Sequence, residues 1–380
     1  MDFARMMTTG RLMMSAAALA VAGSAAVAQE LPDTMIWTAY DVGSAGYAEA
    51  SAIADAFGQK YGTKVRIQPS GSGIGRLQPL LQGRADYGFL STETFFLAEG
   101  DYDFATPEFG PTELRAVAGR PASITMVAAA DAGIETIADA KGKRAAFIAG
   151  NPSINVKCEA ILAFGGLTLD DVEVVMFPTY AAAMSSMTKN ESDFTCTTPT
   201  TSQLYELAES PRGIKWVPLD PNNAEAWAKL DGILPIMGHF EEDIAAGLEP
   251  GEKVDMASYR YPVIATTKDK SADEVYAFIK ALDETFDMYK SGTATMGRWA
   301  LEQSGVPPID VPFHEGAIRY LKEKGIWTAE HDAWNEERTR RMDALVAAWG
   351  EFKAANPDLS GEEFATQWNA RQDEVLASLN

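Results

Sequence analysis

PSGSGIGRLQPLLQGRADYGFL, residues 69–90, decides how this chain is built. Glycine and serine make a tight turn, IGRLQPLLQG (74–83) opens a short helix on it, and ADYGFLS (85–91) returns as an apolar strand. KVRIQPS (64–70) leads into the turn as another strand, so the unit is strand, turn, helix, strand, the pattern of a parallel sheet covered by helices. A dinucleotide-binding turn has a similar outline, with Glu93 standing after the second strand where a ribose-binding acid would be. Its third glycine is out of place here, and Pro79 interrupts the helix that should present the amides.

The same alternation runs outward in both directions. Upstream, TMIWTAY (34–40) reads as a strand and AEASAIADAFGQKYG (48–62) as a helix closed by a glycine. Beyond an acidic, aromatic loop at 99–113 come two strands, LRAVAG (114–119) and SITMVAAA (123–130). A second α/β set then opens. GKRAAFIAG (142–150), VEVVMF (172–177) and SDFTCTT (192–198) are its strands; NVKCEAILAFGG (155–166), YAAAMSSMTKN (180–190) and SQLYELAES (202–210) are its helices. YPVIATT (261–267) adds a strand and DEVYAFIKALDETFDMYKSG (273–292) a long helix. Two sets, each with its own sheet, predict two lobes, and ligands of open parallel sheets sit beyond the carboxyl ends of the strands.

Four loops occupy that position: DVGSAGYAE (41–49), PSGSGIGR (69–76), AGNPSINVK (149–157) and TCTTPTTSQ (195–203). Each is rich in Gly, Ser, Thr or Asn and opens a helix. A helix start exposes unpaired N–H groups and the positive end of the helix dipole, so such loops suit an anion. Taken alone, any one of them reads first as an ordinary N-cap. Four together, two in each set, point to a shared cleft whose amides grasp a negatively charged metabolite.

Composition narrows the partners. A formal charge of -22 repels nucleic acid and anionic membranes, while leaving open the charge of a small ligand held by local dipoles. No GxxxxGK[ST] loop and no G-x-S-x-G elbow is present, and HEGAI (314–318) has Ile318 where a zinc-binding H-E-x-x-H needs histidine. His239, His314 and His331 are the only histidines, and none lies in a cleft loop, so a nucleophilic serine or cysteine has no evident base. Asp41, Glu49, Asp86 and Glu93 read as caps or solvated charges, with Asp86 as a strand-start hydrogen-bonding residue. Binding without catalysis, cofactor or metal is the expected class. Cys158 and Cys196 either pair as one disulfide or stay as two buried thiols. Residues 1–28, with Arg5 and Arg11 before an apolar Ala/Leu/Met/Val run and Ala26-Val27-Ala28 at its end, read as an export signal cut after Ala28, which predicts a periplasmic protein.

DVGSAGYAEASAIADAF, VRIQPSGSGIGRLQPLLQGRADYGFL, TIADAKGKRAAFIAGNPSINVKCEAILAFGGLT and VPFHEGAIRYLKEKG (311–325), taken in order, resemble the TAXI class of solute-binding proteins of tripartite ATP-independent periplasmic (TRAP) transporters. The likeness covers residues 34–326. It implies an α/β, two-lobed periplasmic-binding-protein-like (type II) fold with a hinge. Lobe I would take residues 29–122 and 261–326 and lobe II residues 123–260, with 327–380 as a C-terminal helical extension. It also implies a small organic acid as ligand, such as glutamate or 2-oxoglutarate, and delivery to a TRAP membrane permease. The alternatives are a receptor for an ATP-driven importer or a periplasmic enzyme acting on a small anion. By position, the resemblance puts the ligand against Gly43, Ser44, Gly46 and Tyr47, against Ser70, Gly71, Ser72 and Gly73, and against Ser91 and Thr92. In lobe II it points to Asn151, Pro152, Ser153 and Asn155, where Asn and Pro replace the glycines usual in that class, and to Thr197 and Thr198. Arg260 and Tyr261 complete the expected set; Arg76, Arg120 and Arg260 are each candidates for a bidentate grip on the carboxylate, the alternative for each being a surface arginine, which is the favoured reading of Arg76 and Arg120. ERTRRMDALVAAWGEFKAANP (337–357) predicts one terminal helix and Ser360 with Glu363 caps another. These helices either cover an apolar face of the lobes or serve as a homodimer or permease contact.

Overall fold

The computed structural model describes residues 31–379, so the expected export signal lies outside the described residues. The first unit is β1 (Thr34–Ala39), α1 (Ala45–Tyr61), β2 (Lys64–Pro69), α2 (Gly73–Leu81), β3 (Tyr87–Leu90) and α3 (Glu93–Glu99), followed by β4 (Leu114–Ala129). The second is β5 (Arg144–Ile148), α4 (Pro152–Phe164), β6 (Glu173–Phe177), α5 (Tyr180–Ser186), β7 (Phe194–Thr197), α6 (Ser202–Ala208), β8 (Ile214–Val217), α7 (Ala224–Asp231) and β9 (Gly238–Glu242). The chain then returns through β10 (Val254–Thr267) to α8 (Ala272–Glu284), α9 (Phe286–Tyr289), α10 (Leu301–Ser304) and α11 (Glu315–Glu323), and closes with α12 (Ala329–Ala355) and α13 (Gly361–Leu379).

Strand order is β2-β1-β3-β10-β4-β7-β5-β6, with β8 on β4 and β9 on β10. β1 pairs in parallel with β2 and β3, and β5 in parallel with β6 and β7, as the alternating pattern predicted. The link between the two halves is different in kind. LRAVAG and SITMVAAA, read above as two strands, form one strand of 16 residues, antiparallel to the 14 residues of β10. The first part of β4 pairs with β10, which is itself flanked by β3, and its far end lies between β7 and β8. The two strands thus join the lobes, and the expected two-lobed, hinged architecture with a helical extension is what the chain adopts. Pro121 sits where the β4–β10 register slips between Arg260 and Val263, the irregular kind of site in which a strand tolerates a missing N–H.

In the first lobe Trp37 packs edge-on to Phe57 and Phe278 and stacks on Phe89, at centroid distances of 5.6, 5.6 and 5.0 Å. In the second, Cys158 of α4 and Cys196 of β7 form a disulfide, with Cα atoms 5.2 Å apart, so the disulfide alternative holds. α12 starts eight residues earlier than the sequence suggested, because the Thr328 hydroxyl caps the N–H of His331. Trp349, Phe352, Phe364 and Trp368 bury their rings between α12, α13 and the Ala105 loop, covering an apolar face as the plainer reading of the extension expected.

Candidate ligand-binding site

All four loops meet at the seam between the lobes. Gly73 N–H donates to the Gly150 carbonyl at 3.2 Å, Asn151 Nδ2 to the Gly71 carbonyl at 3.1 Å, and Ser202 Oγ to the Gly43 carbonyl at 2.9 Å. The lobes therefore touch loop to loop, and the cleft is closed.

Closure changes what the loops offer. Gly46 N–H donates to the Tyr261 hydroxyl at 3.2 Å, Tyr47 N–H to Ser44 Oγ at 3.1 Å and Gly75 N–H to Ser72 Oγ at 3.0 Å. These helix-start amides, expected above to be free for an anion, already have partners. Gly46 is a glycine because a Cβ there would stand 2.6 Å from the Tyr261 hydroxyl. Asn155 turns its amide back onto the N–H and C=O of Ile148, at 3.0 and 2.8 Å, and so fixes the end of β5 rather than facing the other lobe. Pro152 opens α4 at a position where no N–H is needed.

The seam is lined by cations and phenols instead. Arg76, read above as a surface arginine, is fully buried, with its guanidinium 3.4 Å from the Tyr40 ring centroid. Its Nε donates to Glu93 Oε1 at 2.7 Å and its Nη1 to the Ser70 carbonyl at 2.9 Å; Nη2 has no partner among the described residues. Burial works against ionisation of Glu93, but Arg76 beside it prevails and holds that carboxyl below its ordinary pKa. Lys157, on α4, was not among the predicted site residues. Its Nζ reaches Thr92 Oγ1 at 2.7 Å and Ser91 Oγ at 3.1 Å in the other lobe, and Ser153 Oγ at 3.3 Å in its own. It lies 4.2 Å from the Tyr259 ring centroid, and no carboxylate of the described residues lies within ion-pair distance of it. Tyr180 joins Thr197 and Thr201 through hydroxyl contacts of 2.5 and 2.7 Å, and Thr198 meets Thr201 at 3.1 Å. Burial pushes the phenols of Tyr180, Tyr259 and Tyr261 upward, so they are neutral walls and hydrogen-bonding groups. Asn151 Oδ1 is a further buried polar atom without a partner.

Two other expectations are corrected. Arg260 alternates with Tyr259 and Tyr261 along β10 and so points away from the phenol wall. Its guanidinium donates to the carbonyls of Pro308, Gly119, Gln303 and Val306, at 2.9, 3.0, 2.6 and 3.1 Å. It ties the hinge strand to the segment before α11, beside a cavity of about 550 Å3 that Asp310, Trp334 and Arg338 also line. Arg120, likewise read as a surface residue, is buried and grips Glu49 through Nε and Nη2 at 2.7 and 2.6 Å. Glu49 also accepts from Thr295 Oγ1 and Trp299 Nε1, so neither it nor Glu93 is a solvated charge. Asp86 does cap a strand start, accepting from Ile36 N–H at 2.8 Å.

Among the described residues no group of three His, Cys, Asp or Glu side chains is placed to hold a metal ion, and no helix is long and apolar enough to cross a membrane. Residues 38–325 match the family model described as the NMT1-like family. The chain belongs to the NMT1-like family. The matched span takes in both lobes and stops short of α12 and α13. Solved structures similar to it include a protein of Bordetella bronchiseptica RB50, at 17% identity over 80% of this chain and 93% of that one, with a TM-score of 0.47. The periplasmic aliphatic sulphonate binding protein SsuA of Escherichia coli is also 17% identical, over 81% and 84% of the two chains, at a TM-score of 0.42. The alkanesulfonate-binding protein SsuA of Xanthomonas axonopodis pv. citri, bound to MOPS, gives 16%, 78% and 92%, and 0.42.

Proposed function

We propose that this NMT1-like protein is a periplasmic solute receptor that encloses a small organic anion, such as glutamate, 2-oxoglutarate or a related carboxylate, between its lobes and delivers it unaltered to an ion-coupled TRAP permease. The observation that supports the reading is Lys157: a buried ammonium at the seam, bonded only to hydroxyls although Glu93 and Asp310 stand near it, has a place in its shell for a carboxylate of the ligand. Arg76 Nη2 adds a second unused donor on a buried cation. Ser91, Thr92, Ser153, Thr197 and Thr198 bring hydroxyls from both lobes, and Gly43, Ser44, Gly46, Tyr47 and Ser70–Gly73 set the floor that the anion would meet. In this reading the lobes are 29–122 with 261–326, and 123–260, and they swing apart about β4 and β10 to admit the ligand.

The test is a thermal-shift panel of amino acids, oxo-acids and dicarboxylates on protein unfolded, washed and refolded to remove carried ligand. A hit is then followed by calorimetry and by mass measurement of the recovered compound. The reading expects at least one carboxylate to stabilise the protein, to lose most of its affinity in Lys157→Met and Arg76→Met, and to be recovered unchanged. Stabilisation by neutral compounds alone, or conversion of the compound, would refute it.

A further inference from the structure

We propose that Lys157 makes lobe closure selective for an anionic occupant: an empty or neutral cleft resists closing over its ammonium, and a carboxylate removes the resistance. The proposal rests on the reading of the seam as an anion site and concerns how that site discriminates.

Lys157 travels with α4, whereas Ser91 and Thr92 belong to the other lobe, so parting the lobes takes both of those hydroxyls from its Nζ and leaves it Ser153. In the closed form the side chain is wholly buried. Two carboxylates face it, and neither bonds to its Nζ. Glu93, from α3, is held by Arg76 of α2, and Asp310, from the segment before α11, accepts from Thr94 Oγ1 at 2.6 Å. Tyr40 of β1 and Tyr259 of β10 present neutral phenols. Hydroxyls can solvate the ammonium but cannot neutralise it.

Burial pulls the Lys157 ammonium down to about 7, against the upward pull of Glu93 and Asp310. With the lobes apart, water reaches Nζ and the ordinary lysine value of about 10.4 applies. Closing empty near neutral pH therefore means either burying a cation that Glu93 and Asp310 compensate only in part or releasing its proton, R–NH3+ becoming R–NH2 with H+ passing to water. Closing on a carboxylate keeps the proton in place. The resistance is complete below the closed-form value and falls as pH rises from there toward the open-form value, by about tenfold in the open-to-closed ratio per pH unit. Asp310, raised by burial to about 6, titrates below this window, and the buried phenols titrate above it.

The experiment needs no ligand. Spin labels at Asp55→Cys on α1 and Glu206→Cys on α6, both exposed positions, report the distance between lobes by pulsed dipolar spectroscopy in stripped, disulfide-intact protein. The empty protein is expected to lose at least about tenfold in open-to-closed ratio between pH 7 and pH 9. Lys157→Met should close while empty at both pH values, and Lys157→Arg, which keeps its charge, should stay open at both. A ratio constant with pH in the native sequence overturns the proposal, whatever the variants do, and so does Lys157→Met behaving like it. A flat response alongside tight carboxylate binding removes this proposal and leaves the receptor reading standing; an intact response with no organic acid bound removes the anionic occupant from both.

Discussion

Breaking the Cys158–Cys196 bridge should unfold the second lobe at markedly lower temperature. The bridge closes a loop of 38 residues that contains β6, α5 and the start of β7, and it joins α4 next to Lys157 to β7 next to Thr197. Releasing a loop of that length returns about 13 cal/mol/K of entropy to the unfolded chain, or about 4 kcal/mol at 25 °C. With about 2–4 °C of melting temperature per kcal/mol for units of this size, the loss is on the order of 10 °C. Both sulfurs are buried, so a Cys158→Ala/Cys196→Ala variant also loses packing. Native protein reduced under denaturing conditions and refolded with reductant isolates the cross-link. Calorimetry should show both forms melting well below the oxidised protein, the reduced one less so than the double variant. Melting within about 2 °C of the oxidised protein in both forms would refute the loop-entropy argument, and two free thiols in a non-reducing mass measurement would refute the bridge itself.

Glu49→Ala should cost about 3–5 kcal/mol in urea denaturation, because Arg120 would remain buried with only the Pro121 carbonyl to accept from it; a loss under about 1 kcal/mol would show that the site collapses or hydrates freely. Gly316→Ala should destabilise by about 1–3 kcal/mol, since a Cβ would stand 2.2 Å from the Ala272 carbonyl where α11 crosses α8. An unchanged denaturation midpoint would contradict that close approach. His314 caps α11 as a neutral imidazole, with Nδ1 accepting from Gly316 N–H at 3.1 Å and Nε2 donating to the Lys270 carbonyl at 3.0 Å. Burial lowers its pKa, so below about 6.5 the unfolded chain binds more protons and stability falls as pH drops toward the folded value. Thermal melts from pH 7 to pH 5 should show His314→Gln losing part of that slope; an identical slope would place the acid sensitivity elsewhere.

The lobes were legible because each strand–turn–helix unit announces itself locally, through apolar alternation followed by a Gly/Ser turn. β8 and β9 were missed: IKWV is too short for a period, and GHFEE alternates polar with apolar on a strand that lies at the edge of β10. The unity of β4 was hidden by Pro121, which reads as a break until the register slip beside it is seen. Site loops were legible for the same local reasons, but their chemistry was not. Whether a helix-start amide is free depends on what the other lobe brings to it, and Tyr261 reaches Gly46 from 215 residues away. The arginines, Arg76 at a helix start and Arg120 within β4, look exposed in the sequence because their buried counter-ions are distant in it: Glu93 and Glu49 lie 17 and 71 residues from their partners. Lys157 had one weak signal: in NVKCEAILAF it stands between Val156 and Cys158, beside the apolar run Ala160–Phe164, where a solvated lysine is less expected.

A crystal structure with the best-binding acid from the panel should place a carboxylate oxygen within about 3.2 Å of Lys157 Nζ and of Arg76 Nη2, enclosed by both lobes. Density for the acid in the cavity beside Arg260 and Trp334, or anywhere that leaves Lys157 bonded only to Ser91, Thr92 and Ser153, would contradict it.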